Sequence, residues 1–316
     1  MKQDAFMKKI IIIGVGVVGS TIAYTLSIRQ QAKEIVLIDQ IQPLAEGEVL
    51  DIQNGLPLTD GTVVRRGTFT DCKNADLIII AAGRSRHEGE KRLDLLESNL
   101  DILKNILPKL KENYTGGYIL VVSNPVDALT YYVSRQFPDF LDRVIGTGTA
   151  LDSIRLQYCV GNFLGITDRR IKGYVIGEHG QIQMPLWGMT TIDSIPISEY
   201  CKRKGITWNK EIQKLISDNV KEMGTKIILG KSRTHFGIAS CISYLVEIFS
   251  QEEEAIVCVS QVRRWKERKI AYSQPTLISH NGLNELPLQL SEEEKETWEK
   301  LCIQLYEIWD QTICYQ

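Results

Sequence analysis

The chain passes from a solid β-branched run, residues 9–13, straight into Gly14-Val-Gly16-Val-Val-Gly19, and no other feature restricts the possible folds as much. A glycine-rich turn that closes a strand and opens a helix brings bare backbone to a helix N-terminus, where unpaired amides and the helix dipole attract anions. Gly14 permits the tight turn, Gly16 lets a pyrophosphate approach the backbone, and Gly19 lets helix and strand pack closely. Val17 and Val18 supply amides in the same turn. Asp39 ends the next strand run, residues 34–38, twenty residues beyond Gly19. Its carboxylate suits both ribose hydroxyls and repels a 2′-phosphate, so the junction points to NAD rather than NADP. A glycine-rich turn of another α/β protein, such as a methyltransferase, is the competing reading.

The same alternation continues through the first half. Strands are expected at 62–65, 77–82, 118–122 and 143–145, with helices at 17–30, 43–54, 93–111 and 126–137. Strands that read as continuous apolar runs between helices argue a parallel sheet covered on both faces. Ligands of such sheets sit beyond the C-terminal strand ends, which marks Gly14, Asp39, Gly83 and Asn124. After about residue 150 the pattern changes. Helices are expected at 151–164, 208–229 and 234–249, and strands at 171–176, 255–260, 269–273 and 275–279. Ser291 is placed to cap a last amphipathic helix. The fold expected is α/β: an N-terminal Rossmann doubly wound parallel sheet, residues 1–150, followed by a C-terminal α+β substrate domain, residues 151–316.

Composition narrows the function. The 316 residues are 43% hydrophobic and 24% charged, and 37 Lys plus Arg against 39 Asp plus Glu give a net charge of −2. That balance leaves no electrostatic footprint for nucleic acid and no polybasic membrane patch. The apolar run after Lys8-Lys9 breaks at Gly14, too short to span a membrane. Seven cysteines, an odd number with no C-x-x-C, suit reduced thiols in the cytoplasm and suggest no metal site.

Four histidines are available for acid–base work: His87, His179, His235 and His280. His179 stands out, because glycines flank it in Ile176-Gly-Glu-His-Gly180, a strand end able to present a side chain into a cleft. Asp152 and Arg155, three residues apart, share one face of a helix. They form a local ion pair, or they work separately, Asp152 orienting His179 and Arg155 taking a substrate carboxylate in two-pronged contact.

Seven blocks together carry a resemblance: GVGVVGS at 14–20, IVLID at 35–39, DCKNADLIIIAAG at 71–83, GEKRLDLLESN at 89–99, VVSNPVDALTY at 121–131, RVIGTGTALDSIR at 143–155 and IGEHG at 176–180. They span nearly the whole chain, which resembles the L-lactate and malate dehydrogenase superfamily, NAD-dependent enzymes of L-2-hydroxy acids, with wording closer to the lactate branch. The resemblance implies reversible reduction of pyruvate to L-lactate by NADH, in glycolysis and pyruvate metabolism, by a cytoplasmic homotetramer or dimer. It makes His179 the acid/base group, Asp152 its carboxylate partner and Arg155 the anchor of the substrate carboxylate. Arg92 then polarises the ketone when residues 84–92 close as a lid. Asn124 contacts nicotinamide and substrate, Thr234 lines the substrate pocket, and Ile238 lies beside the nicotinamide. A non-catalytic NAD-binding descendant of the family would have no reason to keep His179, Asp152, Arg155, Arg92 and Asn124 together.

The chain departs from the lactate pattern in two places. Arg86, six residues before Arg92, falls where lactate enzymes carry glutamine and malate enzymes arginine, which opens a malate/oxaloacetate or broader 2-hydroxy-acid specificity. Of the arginine and histidine that bind fructose bisphosphate in some bacterial relatives, Arg169 matches the first, and Met189 stands at the second.

Overall fold

The computed structural model describes residues 7–58, 61–85, 90, 92–251 and 254–313 and, among these, every side chain except those at 57, 92 and 308–313. The chain divides into two compact units. The first holds the residues up to Thr147 with His235–Ala255 and Ile278–Leu283, and the second holds Gly148–Thr234, Ile256–Leu277 and the residues from Asn284 on.

The first unit opens with β1 (Met7–Ile13), α1 (Val17–Ile28), β2 (Ala32–Ile38), α2 (Gln42–Gly55), β3 (Val63–Arg66), β4 (Leu77–Ile80), α3 (Arg92–Asn113), β5 (Tyr118–Val121), α4 (Val126–Gln136) and β6 (Val144–Gly146). Its strands pair in the order β3-β2-β1-β4-β5-β6, all parallel. Successive side chains of a strand point to opposite faces, yet Ile10, Ile11 and Ile12 on β1 and Leu77 to Ile80 on β4 are all fully buried. Both faces of the sheet are therefore covered, as the solid apolar runs imply. The order reverses between β1 and β4, and a crevice beyond the C-terminal ends of those two strands is where such a sheet binds its ligand.

The second unit begins with α5 (Ala150–Leu164), which ends at Gly165 in the left-handed conformation, φ 65°. The single strand expected at 171–176 is two: β7 (Ile171–Lys172) and β8 (Val175–Gly177). The break falls at Gly173, where a Cβ would lie 3.1 Å from the Leu156 side chain of α5, so the chain bends around that helix. Next come β9 (Gln183–Pro185), β10 (Thr191–Ile192), β11 (Ile195–Pro196), α6 (Ile197–Lys204) and α7 (Lys210–Lys231). β7 joins a small sheet ordered β11-β10-β7, whereas β8 pairs antiparallel with β9.

Helix α8 (Phe236–Ser250) returns to the first unit. It starts two residues later than the pattern suggests, so Thr234 lies in the loop before it. Gln31 reaches α8 from α1's side: its Nε2 donates to the Ser243 carbonyl at 2.9 Å, and its Oε1 lies 2.6 Å from the Ser243 hydroxyl. Phe249 packs on Tyr118 of β5, ring centroids 4.5 Å apart.

The remaining elements are β12 (Ala255–Trp265), β13 (Arg268–Ser279), β14 (Gly282–Glu285) and α9 (Glu292–Ile313). The break expected between 273 and 275 does not occur; Pro275 sits inside β13, where its carbonyl still accepts from the Leu286 N–H at 3.1 Å. β13 continues the second unit's sheet through β8 to β9. Ser291 caps α9 reciprocally with Glu294: the Glu294 N–H donates to the Ser291 hydroxyl, and the Ser291 N–H to the Glu294 carboxylate. The buried face of α9 is Trp298, Leu301, Cys302 and Leu305, a helical repeat.

Candidate active site

The glycine junction of the first unit has three distinct geometries. Gly14 holds φ at 91°, a conformation side chains rarely adopt, and a Cβ there would lie 2.4 Å from the Ala82 backbone. At Gly19 a Cβ would lie 1.9 Å from the Gly14 carbonyl oxygen, so this glycine sets how closely α1 approaches the turn. Gly16 is different: its φ is −62°, and nothing lies within 4 Å of where its Cβ would be. The open space sits directly over the first turn of α1, whose amides, among them Val17 and Val18, no side chain caps. Asp39 is half-buried beside the same turn. Its two oxygens accept from the Val15 and Ile41 N–H groups, each at 2.9 Å, which fixes the carboxylate at the C-terminal end of β2.

Two loops complete this half. Gly83 follows β4, and a Cβ there would touch Asn99 and Ser123, both at 3.3 Å. Asn99 of α3 is buried; its Oδ1 accepts from the Arg84 N–H at 2.9 Å, and its Nδ2 donates to the Asn124 carbonyl at 2.6 Å. It thereby ties together the loops that follow β4 and β5, leaving the Asn124 side chain exposed. Sequence reasoning gave Asn99 no role, although the asparagine closes one of the resemblance blocks. The Arg84 guanidinium pairs with Glu90 and donates to the Ser98 hydroxyl at 2.8 Å. Arg86 and His87 lie outside the described residues, as does the side chain of Arg92, which opens α3. Ile238 lies half-buried in the first turn of α8.

The second unit holds His179, the histidine singled out from the sequence. Asp152, in the first turn of α5, is 1% exposed, and its two oxygens serve two partners. His179 Nδ1 lies 2.6 Å from Oδ2, and the Arg155 guanidinium donates to Oδ1 at 3.1 Å. The local ion pair read from the sequence is present, and the same carboxylate also holds His179. Burial alone would push the Asp152 carboxyl up; His179 and Arg155 outweigh it and hold it below its ordinary value of 3.8. The contact with the carboxylate fixes the orientation of the His179 ring through Nδ1. His179 itself is carried by a hairpin. β8 ends at Gly177, φ 101°, the Glu178 N–H donates to the Ile182 carbonyl at 2.8 Å, and Gly180 has φ 139°. A Cβ at Gly177 would lie 2.7 Å from both the Ile182 carbonyl and Leu301 of α9, so only glycine fits beneath the histidine.

Thr234 is half-buried in the loop after α7, and Gly224 of α7 passes close to the Arg155 guanidinium, which a Cβ would meet at 3.7 Å. Arg169 and Met189 sit on two separate short turns, Asp168–Arg170 and Trp187–Met189. Among the described residues no group of three His, Cys, Asp or Glu could hold a metal ion, and no helix is long and apolar enough to cross a membrane.

Comparison with known proteins matches the two halves of this geometry separately. Residues 8–146 match the family model of the lactate/malate dehydrogenase NAD binding domain, and residues 149–313 that of the lactate/malate dehydrogenase alpha/beta C-terminal domain. An L-lactate dehydrogenase of a Thermoanaerobacter species is 40% identical over 292 residues, 91% of this chain and 94% of that protein. L-lactate dehydrogenase 2 of Lactococcus lactis is 34% identical over 305 residues, 95% of this chain and 97% of that protein. The ligand-bound crystal structure of the minor L-lactate dehydrogenase from Enterococcus mundtii superposes with a TM-score of 0.90 at 32% identity, covering 96% of this chain and 98% of that one. With a family model on each side of residue 148, a dinucleotide junction in the first and a carboxylate-held histidine in the second, the chain belongs to the lactate/malate dehydrogenase family.

Proposed function

We propose that the chain is an NAD-dependent L-lactate dehydrogenase that interconverts pyruvate and L-lactate. The observation that carries this reading is the single buried carboxylate of Asp152 shared by His179 and Arg155. It holds a proton carrier and a carboxylate receptor side by side, which is what reducing the ketone of a 2-keto acid requires.

The glycine junction fits a dinucleotide. The open space at Gly16 admits a pyrophosphate against the uncapped amides of α1, with Val17 and Val18 in the first turn, and Asp39 is held ready for the ribose hydroxyls. Asn124, Gly83 and Ile238 would border the nicotinamide. When bound, the nicotinamide supplies or accepts the hydride at C2. The chain's own residues do the rest. Arg155 takes the substrate carboxylate in two-pronged geometry and orients the molecule. Asp152 holds the His179 ring by Nδ1 and stabilises its protonated form, so that Nε2 donates its proton to the carbonyl oxygen during reduction and recovers it during oxidation. Arg92 stabilises charge developing on that oxygen once residues 84–92 close over the substrate and exclude water. Thr234 lines the side-chain pocket.

In this reading residues 1–150 form the cofactor-binding domain and residues 151–316 the substrate domain, with α8 added to the first. The enzyme works in the cytoplasm, in glycolysis and pyruvate metabolism, as a homo-oligomer, tetramer or dimer. Association would cover apolar side chains exposed on the first unit, Tyr24 and Ile28 of α1 and Leu50 of α2. A second reading, oxaloacetate as a substrate, rests on Arg86. NADH oxidation assayed with pyruvate, oxaloacetate and bulkier 2-keto acids tests both; no turnover with any of them would reject the proposal.

A further inference from the structure

We infer that Thr149 and Ser153 are positioning residues that set the Asp152–His179 distance by clamping one strand residue, Val175, to helix α5. The inference rests on the reading of His179 and Asp152 given above.

The clamp is made of two hydroxyls one helical turn apart. The Thr149 hydroxyl donates to the Val175 carbonyl at 2.5 Å, and the Val175 N–H donates to the Ser153 hydroxyl at 3.0 Å. The Ser153 hydroxyl in turn donates to the Thr149 carbonyl at 2.9 Å, so the proton of each hydroxyl is committed. All three residues are buried. Side chains thus satisfy both backbone groups of Val175 on the side facing α5, while its other neighbour is Pro185 of β9. Thr149 is itself pinned, its N–H donating to the Ser273 hydroxyl of β13 at 3.0 Å.

The position of the clamp gives it a consequence for chemistry. Asp152 lies between the two hydroxyl residues in sequence, so its place relative to Val175 follows from the helix. From Val175 to His179 the path is held at each step, by the register Val175↔Pro185, Ile176↔Met184 and Gly177↔Gln183 and then by the Glu178–Ile182 hydrogen bond. A slip of α5 along β8 therefore appears directly in the 2.6 Å contact between Asp152 and His179. A displacement of about 1 Å takes such a contact beyond hydrogen-bond range, and misplacements of that size can cost about 10²-fold in rate.

Thr149→Val keeps the shape and removes one hydroxyl, Ser153→Ala removes the other, and Thr149→Ser restores a hydroxyl at the first position. We expect each hydroxyl deletion to lower kcat for pyruvate reduction about tenfold while KM for pyruvate changes less than about threefold, and Thr149→Ser to recover most of the loss. The decisive measurement is a cycle with Asp152→Asn. If the clamp acts through the Asp152–His179 pair, adding Thr149→Val to Asp152→Asn costs nothing further. Losses that multiply, or native kcat in both hydroxyl variants, overturn the clamp. A native kcat in Asp152→Asn alone overturns the underlying reading of the pair, a separate result. Should Thr149→Val not fold, Ser153→Ala carries the same cycle.

Discussion

Alanine at Gly16 and alanine at Gly19 separate what the glycine junction does for binding from what it does for folding. At Gly19 the new methyl carbon would start 1.9 Å from the Gly14 carbonyl oxygen, and 3.0 Å from its carbon, atoms of a backbone that cannot rotate away. The turn must shift by more than about 1 Å to restore contact distance, and overpacking of this kind costs about 1–3 kcal/mol or more. At Gly16 the methyl meets nothing within 4 Å, and φ of −62° suits alanine. Its stability change should therefore stay within about 1 kcal/mol, the balance of a weaker helix cap against a stiffer unfolded chain. The same methyl stands between the α1 amides and a pyrophosphate. Losing one hydrogen bond to a charged group, about 1.5–3 kcal/mol, weakens NADH binding about ten- to hundredfold. Fluorescence titration with NADH and thermal melts of both variants give the four numbers needed. A Gly16→Ala variant with native NADH affinity would refute the placement of the dinucleotide, and a Gly19→Ala variant with native melting would refute the packing argument.

Three further outcomes follow from residues of the two units taken separately. His179→Ala should lower kcat by about 10²–10⁴-fold while NADH still binds, and unimpaired turnover would reject the proton-carrier role. Asp39 should make NADH the better cofactor, and Asp39→Ser should narrow the gap; equal kcat/KM for NADH and NADPH in the native enzyme would contradict this. Asp152 is held below 3.8 in the folded chain, so it contributes stability above that value, and the contribution is lost as pH falls through the lowered one. Urea titrations should accordingly find Asp152→Asn less stable than native by a wide margin at neutral pH and by a narrower one in strong acid, and equal deficits at both would show that the carboxylate is not held in this way.

The parallel half of the fold was legible because its signal is local. Continuous apolar strands, glycines at their ends and an aspartate at a fixed distance all lie within one βαβ unit, and β1, α1 and β2 follow that pattern. The second half was less legible because several of its strands, β7 to β11, have only two or three residues and their ends depend on distant segments. Residues 171–176 set the strand formers Ile171, Tyr174, Val175 and Ile176 around Gly173, but the bend at Gly173 depends on Leu156 of another element. Helix α8 reads as an ordinary amphipathic helix; its membership of the first unit depends on Gln31 and Tyr118, more than a hundred residues away in sequence. Asp152 and His179 could each be nominated from their neighbours, yet nothing local states that one carboxylate serves both His179 and Arg155. The hydroxyls of Thr149 and Ser153 gave no signal, since a threonine just before a helix and a serine within it bond more often to their own turn, as Ser153 also does.

Charge counting around Asp152 explains why the substrate question turns on Arg86. Asp152 and Arg155 cancel, and with His179 protonated the group carries one positive charge, which a 2-keto acid's single carboxylate neutralises. Pyruvate therefore needs no further cation, whereas oxaloacetate brings a second carboxylate that does. Arg86, six residues before Arg92, is the residue whose place in the sequence suits that task. A guanidinium about 4 Å from a carboxylate at an effective dielectric of about 20 gains about 4 kcal/mol before desolvation is subtracted. Only part of that survives in the transition state. Arg86→Gln should lower the ratio of kcat/KM for oxaloacetate to that for pyruvate by at least about tenfold, or about 1.4 kcal/mol. An unchanged ratio would mean that Arg86 meets solvent, not the second carboxylate, and that the enzyme draws its specificity from Thr234 and the pocket walls.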